Sequence, residues 1–208
     1  MERWLAGPSD VASSLATDER HRFGGLGNAV PVYAKALAVE LKNDPGEKFT
    51  YGGIPLQVFG AVLAAKLVPR GLTPHDYLRE RVLEPLGCEV ASWRKLRDGT
   101  QPLPTGAFLS ARAWATYGSF FAGDRAARRD PVLRAESIAD CLVGSVANPR
   151  YGLGWWLSPF PREPDIFYAS GAGGQALYVF PTRRIAVVKF AKRGASSHPA
   201  FLRRLIGE

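Results

Sequence analysis

The sequence predicts an α+β fold, with a helical region over about residues 31–148 and an antiparallel sheet region over about 149–208, closed by a helix. Three observations carry this expectation. Apolar residues recur at helical spacing through the first region. After Pro149 they give way to short β-branched and aromatic runs. Pro181-Thr182-Arg183-Arg184 then separates two such runs as a tight turn, which calls for a hairpin.

Taken in order, residues 1–30 are rich in Gly, Ser, Asp and Arg without a steady period, and read as an irregular arm. Pro31 suits the first position of a helix, and Val32, Ala36 and Val39 follow at the right spacing. Asn43-Asp44-Pro45-Gly46-Glu47 stops it with turn chemistry. A second helix runs from about Ile54 to Leu67, apolar all round and therefore expected to be buried on most sides. Thr73 is an N-cap ahead of Pro74, and the helix it starts ends at Pro85-Leu86-Gly87. Ser110 caps a helix that gathers Ala113, Trp114, Tyr117, Phe120 and Phe121 on one side, and Asp130-Pro131 opens another to about Leu142. Strands are expected at Tyr151–Leu157, Ile166–Ala169, Ala176–Phe180 and Ile185–Phe190, with a closing helix from Pro199 to Ile206. The arm and one domain over 31–208 account for the chain.

The bulk numbers exclude several functions. Of 208 residues, 46% are hydrophobic and 22% charged, an ordinary balance for a globular chain. No run approaches the length of a membrane-spanning helix, and the N-terminus has no apolar core of signal-peptide length, which leaves the compartment open. The net charge of +8 is scattered over short clusters, Arg125–Arg129, Arg183-Arg184 and Arg203-Arg204, without a basic helix or a stacking-aromatic motif. A nucleic-acid partner is not expected, nor is a membrane partner. Cys88 and Cys141 are too few for a disulfide framework and read as buried free thiols. The histidines, His21, His75 and His198, have no partner at metal-ligand spacing, so neither a metal nor another cofactor is expected.

No Gly-x-Ser-x-Gly elbow and no phosphate loop occur. Gly171-Ala172-Gly173-Gly174-Gln175-Ala176 formally fits a dinucleotide fingerprint, but that motif must lead into a helix, and Leu177-Tyr178-Val179-Phe180 reads as a strand. The same glycines suit the rim of a sheet, where bare backbone approaches a ligand and N–H groups face an oxyanion.

Five segments in order extend this reading. Asp44-Pro45-Gly46-Glu47-Lys48-Phe49-Thr50-Tyr51 resembles the approach to the tyrosine motif of class C β-lactamases and the penicillin-binding and 6-aminohexanoate-dimer hydrolase-like proteins related to them. Arg79–Gly87, with its Glu84-Pro85-Leu86-Gly87 end, resembles a helix terminus of that family. Gly106–Arg112 and Tyr151–Trp156 are similar to the loop and strand that follow, and Ser170-Gly171-Ala172-Gly173-Gly174 falls where the family carries Lys-Thr-Gly or His-x-Gly.

The resemblance implies part of a β-lactamase/transpeptidase-like fold and acyl transfer from a small amide or ester to water. It makes Tyr51 the proton-shuttling tyrosine and the backbone N–H of Ala172 an oxyanion donor. Gly53, Ser170 and Gly171 become substrate contacts, and Gln175 a substitute polar one. Gly53 stands where the family usually has asparagine, and Ala169 where lysine or histidine leads the edge motif. Both departures favour an esterase- or amidase-like branch. The family's nucleophile is a serine one helical turn before a lysine, upstream of the tyrosine. The chain reads as having no serine three residues before a lysine, and so is expected to lack this Ser-x-x-Lys pair. It therefore reads as a truncated, inactive hydrolase. The alternatives are a binding module for small amides or peptides, or an unstable remnant whose outer hairpin strand lacks its partner.

Overall fold

The structure is a computed structural model that describes residues 32–44, 46–123, 132–191 and 197–207. The expected arm and the Arg125–Arg129 cluster lie outside these residues. The described residues divide into two compact units, one of residues 32–117 with Val132, the other of 118–123, 133–191 and 197–207.

In the first unit, α1 (Val32–Leu37) packs on α2 (Gly53–Leu67). The Tyr33 ring lies against Gly60, where a Cβ would stand 2.8 Å from it. α2 is not buried on most sides, because Phe59 and Val62 stay 57% and 48% exposed and only Gly60 and Leu67 are buried. Its apolar circumference finds cover over only part of its surface among the described residues. A 3₁₀ turn at Val68–Arg70 ends it at Gly71, whose φ of 63° suits a residue without Cβ. α3 (Pro74–Leu78) begins with a reciprocal cap: Thr73 Oγ1 accepts from the Asp76 N–H at 3.1 Å, and the Asp76 carboxylate accepts from the Thr73 N–H at 3.3 Å. The chain continues through a π-helical turn, Arg79–Leu83, to Gly87 at φ 64°.

A short ladder follows, β1 (Ser92–Trp93) against β2 (Ala107–Phe108), which two-residue strands are too brief to reveal by alternation. Trp93 Nε1 donates to the Pro102 carbonyl at 2.9 Å across its connecting loop. α4 (Ala111–Ala122) starts as expected from Ser110, whose Oγ accepts from the Ala113 N–H at 3.1 Å.

The second unit is built on an antiparallel sheet, β3 (Trp156–Leu157), β4 (Phe167–Gly171), β5 (Gln175–Phe180) and β6 (Ile185–Lys189), in that order. The run Tyr151–Leu157 yields only β3 and an isolated bridge between Tyr151 and Trp156. The reason is Gly152, whose position lies so close to the Cys141 carbonyl that a Cβ would meet it at 2.0 Å. The backbone there turns tightly, the Gly152 N–H donating to the Trp155 carbonyl at 2.9 Å. α5 spans Ala135–Asp140. The expected start at Asp130-Pro131 lies outside the described residues; Val132, Leu133 and Arg134 are non-helical, and the helix stops two residues short of Leu142. Cys88 is a buried free thiol, whereas Cys141 is only half-buried.

Leu177, Tyr178 and Val179 are wholly buried because β5 is covered on both faces. On one face Gly118 of α4 meets Leu177, and beside it Phe121, Trp155 and Phe167 stack edge to face at ring separations of 4.9–6.3 Å. On the other, Ile166, Tyr168, Ala176, Tyr178 and Phe180 pack with Leu202 and Phe201 of α6 (His198–Ile206). The hairpin turn Pro181–Arg184 is present, with the Thr182 N–H donating to Asp165 at 2.9 Å. No helix of the described residues is long and apolar enough to cross a membrane.

Candidate functional site

β4 ends at Gly171, paired with Gln175 at the start of β5, and Ala172-Gly173-Gly174 makes the turn between them. Gly173 and Gly174 take φ values of 79° and 85°, consecutive left-handed positions that any side chain would strain. Gly171, Ala172 and Gly173 are exposed, so the turn offers bare backbone to solvent. Gln175 Nε2 donates to the Ala172 carbonyl at 3.4 Å, a long bond that ties this side chain to the turn itself. A strand follows the glycines, as the dismissal of a dinucleotide fold requires.

Ser170 adjoins this turn, and its hydroxyl lies 2.9 Å from Nε2 of His198, the first residue of α6. His198 Nδ1 lies 2.8 Å from the Tyr178 hydroxyl, and the imidazole stacks on Tyr168 with centroids 4.9 Å apart. The imidazole is 2% exposed. Burial, with Lys189 nearby, lowers its pKa to about 4, and the ring is therefore neutral at pH 7. Burial pushes Tyr168 up to about 12 and raises Tyr178, with Tyr168 adding to the latter. This group was missed in the sequence, where metal spacing was the only test applied to the histidines. The alternation of Tyr168 with Ser170, and of Ala176 with Tyr178, was available as a sign that these side chains share a face.

Tyr51 and Gly53 belong to the other unit. Gly53 is the first residue of α2, and Tyr51 stands just before it, half-buried, its phenol pushed above the ordinary value by burial and therefore protonated at neutral pH. The structure thus brings Ser170, Gly171, Ala172 and Gln175 together at one strand end and sets Tyr51 and Gly53 side by side at one helix start.

The expectation that no serine precedes a lysine by three residues needs correction. Ser92-Trp93-Arg94-Lys95 has that spacing. Ser92 and Trp93, however, are β1, and Arg94 and Lys95 lie beyond it outside any helix. Ser-x-x-Lys chemistry needs the pair one helical turn apart on a common face, whereas extended backbone sends positions three apart to opposite sides. Ser92 also follows Tyr51 in the chain instead of preceding it. Among the described residues no cluster of three His, Cys, Asp or Glu side chains is disposed to hold a metal ion.

Comparison with known proteins supplies the lineage. No curated protein matches the sequence. Among solved structures, a Bacillus anthracis protein described as a 6-aminohexanoate-dimer hydrolase is similar with a TM-score of 0.72 and 16% identity. That match covers all of this chain but 55% of the other, so the chain spans about half its length. A Bacteroides dorei structure described as a beta-lactamase matches at TM-score 0.61 and 16% identity, over 94% of this chain and 76% of that one. EstCE1, described as a hydrolase with promiscuous acyltransferase activity, matches at 0.61 and 16%, over 92% and 63%. At such identities the likeness is one of fold. The beta-lactamase family model, by contrast, matches residues 12–207, nearly the whole sequence, and the chain belongs to that family.

Proposed function

We propose that the Ser170–Gln175 strand end forms the substrate edge of a β-lactamase-type acyl-transfer site for a small amide or ester. In this reading the Ala172 N–H stabilises the developing oxyanion and Tyr51 carries the proton as a neutral phenol. The observation that carries it is the exposed turn after β4, whose left-handed glycines leave the backbone open to a ligand. Tyr51 adds a half-buried phenol, and Gly53 and Ala169 supply at their positions neither an asparagine amide nor a cation for a penicillin carboxylate. A short amide whose carboxylate lies far from the reacting bond, as in the 6-aminohexanoate dimer named for the Bacillus anthracis relative, fits this better than a β-lactam.

The nucleophile in this reading lies in polypeptide outside the 208 residues, so they bind substrate without forming an acyl-serine. That the Bacillus anthracis structure is nearly twice as long supports this division. The purified chain should therefore resist stoichiometric labelling by a fluorophosphonate, yet bind 6-aminohexanoate dimer saturably by calorimetry, with binding lost in Tyr51→Ala. Labelling of one serine per chain would refute the missing nucleophile. Failure to bind any of a panel of short amides and esters would refute the substrate edge.

A further inference from the structure

We propose that Ser170, His198 and Tyr178 form a positioning relay through which the C-terminal helix holds the Gly171–Ala172 edge in place. The geometry begins at the helix. Ser197 caps α6, its Oγ accepting from the Ala200 N–H at 3.3 Å, and Pro199 fixes the backbone of the first turn. His198 is thereby planted at a rigid helix start, with its ring directed onto the sheet.

The sheet is built to receive it. Tyr168 pairs with Tyr178 across β4 and β5, and Ser170 pairs with Ala176, so all four side chains share a face. Ala176 is the small member, and it leaves room beside Ser170 that a larger residue would fill. Into this seat the imidazole brings both nitrogens, 2.9 Å from Ser170 on β4 and 2.8 Å from Tyr178 on β5. A neutral imidazole has one N–H and one lone pair, and two hydroxyls each able to donate or accept satisfy it in either tautomer. Among the described residues, the ionisable groups facing it are Tyr168 from β4, Tyr178 from β5 and Lys189 from β6. None of these is an anion at neutral pH, so none of them offsets the burial that keeps the ring uncharged.

The consequence falls on the next two residues. Gly171 is the last of β4, has no side chain to anchor it, and leads into a turn of two left-handed glycines. Such a segment is the freest kind of backbone, and Ser170 is the last side chain before it. A hydroxyl held by a buried imidazole therefore sets where the Ala172 N–H points. This role rests on the reading of Ala172 as the oxyanion donor, but its mechanics are measurable without any ligand.

The test is ¹⁵N relaxation on the labelled 208-residue chain. In the wild type the Ala172 amide should show an order parameter near 0.85, typical of rigid backbone. Ser170→Ala should drop it below about 0.6 while Leu177 and Val179 stay unchanged, and Ser170→Thr, which restores a hydroxyl, should restore it. Tyr178→Phe keeps the ring packing and should give a smaller loss confined to the same residues. An unaltered Ala172 in Ser170→Ala, a loss that threonine fails to rescue, or an equal loosening of the whole sheet would overturn the relay. Failure of 6-aminohexanoate dimer to bind, with the Ala172 response as expected, would instead sink the oxyanion reading and leave the relay supported.

Discussion

Acid should destabilise the sheet unit through His198, and the size of the effect follows from its burial. The unfolded chain titrates this imidazole near 6.5, whereas the folded chain protonates it only near 4. Between those values the unfolded state holds the extra proton, so stability rises with pH across the window. The contribution is fully present above about 6.5 and is lost as pH falls to about 4. At 1.36 kcal/mol per pH unit the gap is worth about 3 kcal/mol, a large share of a typical domain's stability. Urea denaturation followed by tryptophan emission near pH 7, 6, 5 and 4 measures it, with His198→Gln as the comparison. The glutamine variant should be less stable near neutrality, since it fills the seat poorly, but should lack about 3 kcal/mol of the wild type's acid sensitivity over that window. Parallel pH profiles for the two proteins would refute the reasoning, because every other titrating group is common to both.

The remaining expectations concern packing and caps. Gly118→Ala places a methyl 2.6 Å from a Leu177 Cδ and 2.9 Å from the Ala186 Cβ. Overpacking of that kind should cost about 1–3 kcal/mol, read as a lowered urea midpoint. Thr73→Ala removes one half of the reciprocal cap on α3 and should cost about 1 kcal/mol, and Thr73→Ser should recover most of it.

Features with local causes were legible in the sequence. Thr73 ahead of Pro74, Ser110 before an apolar stripe, and Pro181–Arg184 between two β-branched runs each set their element by short-range chemistry, and each element formed. The glycine turn at 171–174 could be placed at a sheet rim because the residues after it read as a strand. What failed was decided by distant contacts. Tyr151–Trp156 has strand composition, but Gly152 is pressed against the Cys141 carbonyl, so the chain turns there. α2 is apolar all round, yet composition does not say how much of that surface the neighbouring elements cover. His198 lies 28 residues from Ser170, and only the packing of α6 on the sheet reveals that one buried side chain serves two hydroxyls.

That shared imidazole makes three positions a single unit of inheritance. Changing His198 alone would strand the hydroxyl of a wholly buried tyrosine, a costly defect in a dry setting, and would leave the half-buried Ser170 without its partner. Replacing all three by apolar residues of matching shape would remove the polar groups together and cost the core little. Among relatives, positions 170, 178 and 198 should therefore travel as a set, hydroxyl, hydroxyl and imidazole or none of them. Where the set is gone, a different anchor should fix the strand end beside the glycines.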